Sequence, residues 1–282
     1  MEAAPLVTVI CLCYNHELYV EEAIRSVEAQ DYPYVELIVV DDASSDHSLD
    51  RIQATLPSLR IPHELVCLEQ NLGNCRAFNQ ALALAKGKYI IDLAADDILE
   101  PNRIRIGVGV LEKSAKDYGV HYCLAQYIDE NCDPIALETR PIPEPHEGDI
   151  YQTLITQYWI NPASMMMKKA CLDQLGGYNE SLSYEDFDFW IRSSRDWKYA
   201  FTAQQLVRKR ELKSSLGKGQ QHWRNKHQPS TLEVCKTIQM LNRSKEENDA
   251  LRKRISYEMR QCLRTGNIEL LIPYYKLIRS II

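Results

Sequence analysis

No apolar run in this sequence reaches the roughly 18 to 20 residues that a membrane-spanning helix requires. The opening Met1-Glu2-Ala3-Ala4-Pro5 has no basic stretch leading into an apolar core, so it does not read as a secretory signal. None of the nine cysteines forms a Cys-x-x-Cys pair, which argues against a zinc ribbon or a thioredoxin-like centre. There is no internal repeat and no low-complexity tract. With 45% hydrophobic and 26% charged residues, whole-chain disorder, collagen and coiled-coil rods are also excluded. What remains is an ordinary globular chain of 282 residues, long enough for one large α/β domain with an extension.

The net charge of -6 hides an asymmetry: residues 201–282 hold 17 Lys and Arg against 7 Asp and Glu, and residues 1–200 hold 16 against 32. A boundary near residue 200 follows from this shift. The acidic body does not suit non-specific nucleic-acid binding, which needs many phosphate-neutralising cations. Cys11 and Cys13 alternate within an apolar run, where free cysteine acts as a small buried hydrophobe. Unpaired cysteines fit a reducing, cytoplasmic compartment.

Along the chain, Leu6 to Leu12 is a continuous apolar and β-branched run, the pattern of a parallel strand buried on both faces. Val20, Ala23, Ile24 and Val27 then fall at helical spacing, and Leu37 to Val40 makes a second buried strand. Ser44 and Ser45 are N-cap candidates for a helix through Leu49, Ile52 and Leu56. A third strand is expected over Leu65 to Leu68, a helix through Ala77 to Ala85 with Gly87 as its cap, and a fourth strand over Tyr89 to Leu93. This β-α-β-α-β-α-β order predicts a mostly parallel sheet flanked by helices. In such sheets ligands bind at the strands' carboxyl ends, where Tyr14-Asn15, Asp41-Asp42 and Asp96-Asp97 lie. Further on, strands are expected over Val120 to Ile128 and Ala163 to Met167, and a proline-rich loop over Pro134 to Pro145. A helix is expected from Tyr184 to Arg195, opening on Glu185-Asp186. From Thr231 the chain reads as mainly helical, with Leu251, Ile255, Met259 and Leu263 on one stripe.

Three acidic pairs, Asp41-Asp42, Asp96-Asp97 and Glu185-Asp186, stand out. Magnesium and similar hard cations are held by one or two carboxylates plus ligand phosphates, which a nucleoside diphosphate brings. A further carboxylate, held apart, could take a proton from a hydroxyl. A single Asp-Asp pair is more often a turn or a cap than a metal site; it is the set of three, two at strand ends, that points to function.

Val7-Thr8-Val9-Ile10, Tyr14-Asn15 and Val39-Val40-Asp41-Asp42-Ala43-Ser44-Ser45-Asp46 resemble the opening of a family-2 glycosyltransferase. So do Asn71-x-Gly73-x-x-Arg76-x-x-Asn79, Ala94-Ala95-Asp96-Asp97, Gly176-Gly177-Tyr178 and Glu185-Asp186-x-Asp188-x-Trp190. The resemblance covers roughly residues 5 to 205, and its force lies in the order and spacing of these motifs. It implies a GT-A fold and an inverting, metal-dependent, hexosyltransferase-type enzyme. Such an enzyme moves one sugar from a nucleotide-diphosphate sugar, a UDP-sugar foremost, to a hydroxyl of a glycan or lipid-linked acceptor in surface polysaccharide or glycan assembly. By the same resemblance Tyr14, Asn15, Asp42, Arg76 and Asp96 match donor-binding positions. Asp97 matches the ligand of Mn2+ or Mg2+, and Asp186 the catalytic base. The implied division is a GT-A domain over 1–205, with a nucleotide-sugar half (1–117) and an acceptor half (118–205), followed by a basic helical extension over 206–282.

The chain departs from the family pattern in three ways. Ala94 stands where a further aspartate often precedes Asp96. The Gln-x-x-Arg-Trp motif of processive synthases is absent. No histidine follows the core near Arg208 to Ser215, where basic side chains or His222 are candidates for meeting the diphosphate. Tyr158 and Trp159 are read equally as acceptor-stacking or packing residues, Met165 to Met167 as core, and His16, His63 and His121 as surface or satisfied positions. Residues 267–282 either touch a membrane interface or pack on the body, the second being preferred. Two other functions stay open: a non-catalytic member binding a nucleotide or a partner, and a sugar-nucleotide pyrophosphorylase, although Cys13-Tyr14-Asn15-His16-Glu17 lacks the glycine-rich basic loop of the latter.

Overall fold

The computed structural model describes residues 4–135, 145–212 and 223–281. In chain order the elements are β1 (Val7–Cys13), α1 (Val20–Glu28), β2 (Val35–Asp41), α2 (Ser48–Thr55), β3 (His63–Cys67), α3 (Asn74–Leu84), β4 (Tyr89–Ala94), β5 (Ile98–Leu99) and α4 (Arg103–Lys113). Then follow β6 (Tyr118–Ile128), α5 (Tyr151–Thr156), β7 (Met166–Lys168), α6 (Lys169–Leu175), α7 (Asp186–Ser194), β8 (Lys198–Arg210), α8 (Gln228–Leu241), α9 (Lys245–Thr265) and α10 (Leu271–Ser280).

One eight-stranded sheet runs in the order β3-β2-β1-β4-β7-β6-β8-β5. One half, β3-β2-β1-β4, is parallel throughout, with Cys13 opposite Asp41 and Leu12 opposite Ala94. β7 joins β4 and β6 antiparallel to both, and the two-residue β5 pairs antiparallel with β8. This is the mixed, helix-flanked sheet of the GT-A fold.

Strand periodicity divides the core. Val7, Val9, Cys11 and Cys13 of β1 face α1, α2 and α4 with Ile24, Ile52 and Ile104. Ile10 faces the other side with Phe78 of α3 and Phe189 of α7. The same second core takes in Val234, Ile238, Leu251, Ile255 and Tyr274, so α8, α9 and α10 pack on the body. β8 runs unbroken across the expected division at 205/206. Tyr274, Leu277 and Ile281 are buried, whereas Ile268, Ile272 and Tyr275 are exposed. Among the described residues no helix is long and apolar enough to cross a membrane.

Several local expectations shift. Ser44 and Ser45 do not cap α2; Asp46 Oδ1 accepts from Ser48 N instead, at 2.9 Å. Gly87 does not cap α3, whose C-cap is Ala85; a Cβ on Gly87 would lie 2.5 Å from Thr8 N. The Ala163–Met167 run splits into a 3-10 turn, Pro162–Ser164, and the short β7, because Asn161 caps the turn by accepting from Ala163 N. On α9, Leu251 and Ile255 are buried but Leu263 is exposed, since the buried stripe continues through Glu258, Cys262 and Thr265 and leaves Leu263 on the outer face. Most of the expected proline-rich loop, including Pro141 and Pro143, lies outside the described residues.

Candidate active site

The carboxyl ends of β1, β2 and β4 meet along one edge of the sheet. Non-glycine residues there adopt positive φ, Asn15 at 58° and Ala43 at 56°, a conformation that persists only where surrounding contacts over-determine it. Asn15 supplies those contacts. Its backbone N–H donates to Ser44 Oγ at 3.0 Å, and its Oδ1 accepts from Ser45 N at 2.8 Å. Tyr14 beside it is 45% exposed and turns its ring to solvent.

Asp42 is buried and shapes the next loop: its two oxygens accept from Leu72 N at 2.7 Å and Gly73 N at 2.9 Å. A carboxylate has about four lone-pair sites, so it keeps acceptor capacity for a ligand. Gly73 takes φ +82 and leads directly into α3. Arg76, on the first turn of α3, is exposed and paired loosely with Glu180 at 3.7 Å.

Much of the motif set builds the scaffold. Asn79 Nδ2 donates to Tyr178 O and its Oδ1 accepts from Tyr178 N, both at 2.9 Å. Gly177 has φ +77, and a Cβ there would sit 2.3 Å from Asn79 Oδ1. Arg192 clasps the same turn: Nε donates to Asp188 Oδ2 at 2.6 Å, Nη1 to Leu175 O and Nη2 to Gly177 O. Asp188 and Arg192 thus fix the turn between α6 and α7, and with it the start of α7.

Glu185 is the N-cap residue of α7 and Asp186 its first residue, the end where the helix dipole favours anions. Asp186 is partly accessible, and its Oδ1 accepts from Phe187 N at 2.6 Å. Burial, then the charge of Glu185, pushes the Asp186 carboxyl up to about 7. Glu185 is raised by burial, with Asn74 of α3 and Lys209 of β8 opposing that shift. Asp92 on β4 is pushed up to about 8 by burial and Glu185, and Tyr178 Oη donates to its Oδ2 at 3.1 Å. The chain therefore gathers Asp92, Asp97, Glu185 and Lys209 into one electrostatic group beside Asp186.

Asp97 lies at the centre of this group and is 0% exposed. Both its oxygens are engaged: Lys209 Nζ lies 3.1 Å from Oδ2, and Arg210 N donates to Oδ1 at 2.9 Å. Burial pushes Asp97 up to about 7 against the pull of Lys209. Burial disfavours the Lys209 ammonium too, but Asp97 and Asp96 outweigh it and raise its pKa above the ordinary value. Arg210 Nε donates to Asp96 O, which locks the Asp96-Asp97 turn against β8. The Asp96 side chain is 7% exposed and accepts no hydrogen bond from the described residues.

An open, nearly buried carboxylate at a strand end is what a hard cation requires. The open one is Asp96, whereas Asp97 meets an ammonium. Among the described residues no three His, Cys, Asp or Glu side chains converge to hold an ion unaided. The residues therefore fit a cation completed by ligand phosphates and not a closed protein cage.

Asp92, Tyr178 and the Lys209–Asp97 pair carry weak sequence signals. Asp92 is a lone acid within an apolar strand, and Lys209 one of three consecutive basic residues. His222 and residues 213–215 lie outside the described residues. His121 is a satisfied core position, between Arg103 Nη1 at 3.2 Å and Thr202 Oγ1 at 2.9 Å; burial and Arg103 push it down to about 2. Tyr158 is 42% exposed, but Arg254 covers its ring at 4.2 Å and Phe187 packs edge-on at 4.8 Å. Trp159 Nε1 donates to Tyr122 Oη.

The family model described as glycosyl transferase family 2 matches residues 8–172. An uncharacterized glycosyltransferase of Haemophilus influenzae is 30% identical over 202 residues, 69% of this chain; the aligned stretch spans 62% of that relative's length. Two solved structures share the fold. S. aureus TarS 1-349 in complex with UDP superposes with a TM-score of 0.69 at 16% identity, covering 94% of this chain and 74% of that one. A Pyrobaculum calidifontis mannosyltransferase in complex with GDP-Man and Mn2+ gives 0.64 at 18% identity, covering 99% and 84%. With the motifs, the GT-A sheet and the family match in agreement, this chain belongs to glycosyl transferase family 2.

Proposed function

We propose that the chain transfers one sugar from a nucleoside-diphosphate sugar to an acceptor hydroxyl with inversion. The observation that carries this reading is the placement of Asp186. Its carboxyl opens α7 beside the acidic edge formed by β4 and β8, on a segment separate from the donor-binding loops. The solved structures with UDP and with GDP-Man and Mn2+ support a nucleotide donor, and UDP is the first choice of nucleotide.

Tyr14, Asn15 and Asp42 form the rim for the base and ribose, Arg76 stands at the loop before α3, and Asp96 faces the diphosphate. A divalent ion, Mn2+ or Mg2+, would be held by Asp96 and the donor phosphates, reaching Asp97 where Lys209 yields, and would offset leaving-group charge. Asp186, raised toward neutrality by burial and Glu185, is matched to accept a proton near pH 7. It takes the proton of the acceptor hydroxyl as that oxygen attacks the anomeric carbon opposite the departing diphosphate. One displacement with one base inverts the centre. A glycan or lipid-linked acceptor would approach past Tyr158 and the segment after residue 117, and the acidic body suits a role without nucleic acid. The division into a transferase domain over 1–205 and a helical extension serves this reading through α8 and α9, which brace the base helix, and a cytoplasmic setting would supply the nucleotide donor. Incubating the protein with a panel of radiolabelled nucleotide-sugars and scoring nucleoside-diphosphate release tests it; no release and no nucleotide binding would contradict it.

A further inference from the structure

Lys209 is the one lysine placed on the carboxylates of this edge among the described residues. Its Nζ lies 3.1 Å from Asp97 Oδ2, its side chain is 25% exposed, and Asp97 is closed to solvent. The field of this ammonium reaches Asp92, Asp96 and Glu185 as well. The strand fixes its position: Lys209 pairs with Tyr127 of β6, and the flanking Arg208 pairs with Ile98 of β5, directly after Asp97. Arg210, next in sequence, is tied to Asp96 O and Asp97 Oδ1, so the lysine cannot drift from the edge. Ala94, two residues before Asp96, leaves this edge with less anionic charge than an aspartate would give, while Lys209 supplies a cation.

We infer that Lys209 is a resident cation with two partners. It occupies the cation side of Asp97 when the site holds no ion, and it turns to the donor's diphosphate when the donor binds. This deepens the proposed function and rests on its donor reading. The chemistry is direct. An ammonium on a flexible four-carbon stem exchanges one oxyanion for another at little geometric cost, and charge-assisted hydrogen bonds to phosphate are about twice as strong as neutral ones. A divalent ion and Lys209 compete for Asp97, because both are cations and Asp97 Oδ2 is engaged. Lys209 therefore weakens metal binding in the nucleotide-free protein while strengthening diphosphate binding without metal.

The test separates the two effects. Binding of UDP and GDP in the presence of chelator, and of Mn2+ to nucleotide-free protein, is measured by calorimetry for the wild type, Lys209→Gln and Lys209→Arg. Glutamine keeps a donor toward Asp97 without the charge. We expect Lys209→Gln to bind Mn2+ at least tenfold more tightly and nucleotide in chelator at least tenfold more weakly, and Lys209→Arg to keep nucleotide affinity within about threefold of wild type. Should Lys209→Gln fail to fold, Asp97→Asn/Lys209→Gln removes both charges together, and its metal-free nucleotide affinity must still fall tenfold. Unchanged Mn2+ affinity in Lys209→Gln, or unchanged nucleotide affinity in chelator, overturns the role of Lys209 and leaves the transferase reading standing. Failure of the wild type to bind either nucleotide, with or without Mn2+, overturns the donor reading and this inference with it.

Discussion

Ser183 Oγ lies 2.8 Å from His227 Nδ1, which joins the loop that leads into α7 to the N-terminus of α8. Tyr184 Oη and Thr231 Oγ1 repeat the link at 2.8 Å, and Arg195 pairs with Glu247 of α9 at the far end of α7. Arg254 of α9 stacks on Phe187 at 4.6 Å. The basic C-terminal helices therefore set the position of Asp186, and deleting them should remove the reaction as well as the extension.

A shorter deletion tests how the tail packs. Removing residues 267–282 uncovers the sites filled by Tyr274, 0% exposed, and Leu277, 7% exposed. Lost burial of two such side chains costs about 3 kcal/mol, a fall in Tm of roughly 10 °C. Differential scanning calorimetry measures this. Neither form should sediment with anionic vesicles; salt-sensitive sedimentation of the full chain alone would show that the exposed Ile268, Ile272 and Tyr275 serve a membrane surface instead.

The turn between α6 and α7 gives a second stability test. Gly177→Ala must hold φ +77 and place a Cβ 2.3 Å from Asn79 Oδ1. The cost should be about 2 kcal/mol or more, from backbone strain and loss of the Asn79 hydrogen bonds. Urea unfolding with an unchanged slope would report it.

The pH dependence follows from the carboxylates. A base at Asp186 would have to be ionised, and burial and Glu185 hold its pKa up at about 7 in the free protein. Its proton is lost as pH rises, so kcat/KM should climb through an acidic limb near pH 7. Glu185→Gln removes a negative charge that raises Asp186, so the limb should move to lower pH by roughly one unit. A limb that stays in place would remove Glu185 from that role.

The parallel half of the sheet was legible because its strands are continuous apolar runs, and a run buried on both faces has few other readings. The acidic pairs at the strand ends were legible for the same reason, since the ends of those runs place them. The mixed half of the sheet was harder to read. β7 is three residues long, β5 two, and β8 breaks its alternation at three consecutive exposed residues, Ala203, Gln204 and Gln205, with register shifts against β6. Nothing local in Lys209 says that it meets Asp97, since the contact spans 112 residues and depends on β8 reaching β5. Motif residues carry structure as well: Asp42, which matches a donor-binding position, holds the Leu72-Gly73 loop, and Asn79 holds Tyr178.

Metal use can be read from Asp96. Asp96→Asn should cut transfer about a hundredfold, the scale of one lost electrostatic stabiliser, and should flatten the dependence of UDP binding on Mn2+. Asp97→Asn should also lower transfer by about a hundredfold, but with a loss of stability, because Lys209 then sits without its anion. Equal Mn2+ dependence in the wild type and Asp96→Asn would show that the ion does not enter there.

One sample decides the role of Asp186. Asp186→Asn is tested for nucleotide binding by calorimetry and for transfer rate on the same preparation. If Asp186 is the base, donor affinity and melting temperature stay close to wild type, because the proposed donor contacts follow the ends of β1, β2 and β4 or stand on α3, while transfer falls by roughly a hundredfold to ten-thousandfold. If Asp186 serves only the helix dipole, an effect of at most about 1 kcal/mol, stability drops slightly and transfer continues near the wild-type rate, which would contradict the assignment of the base.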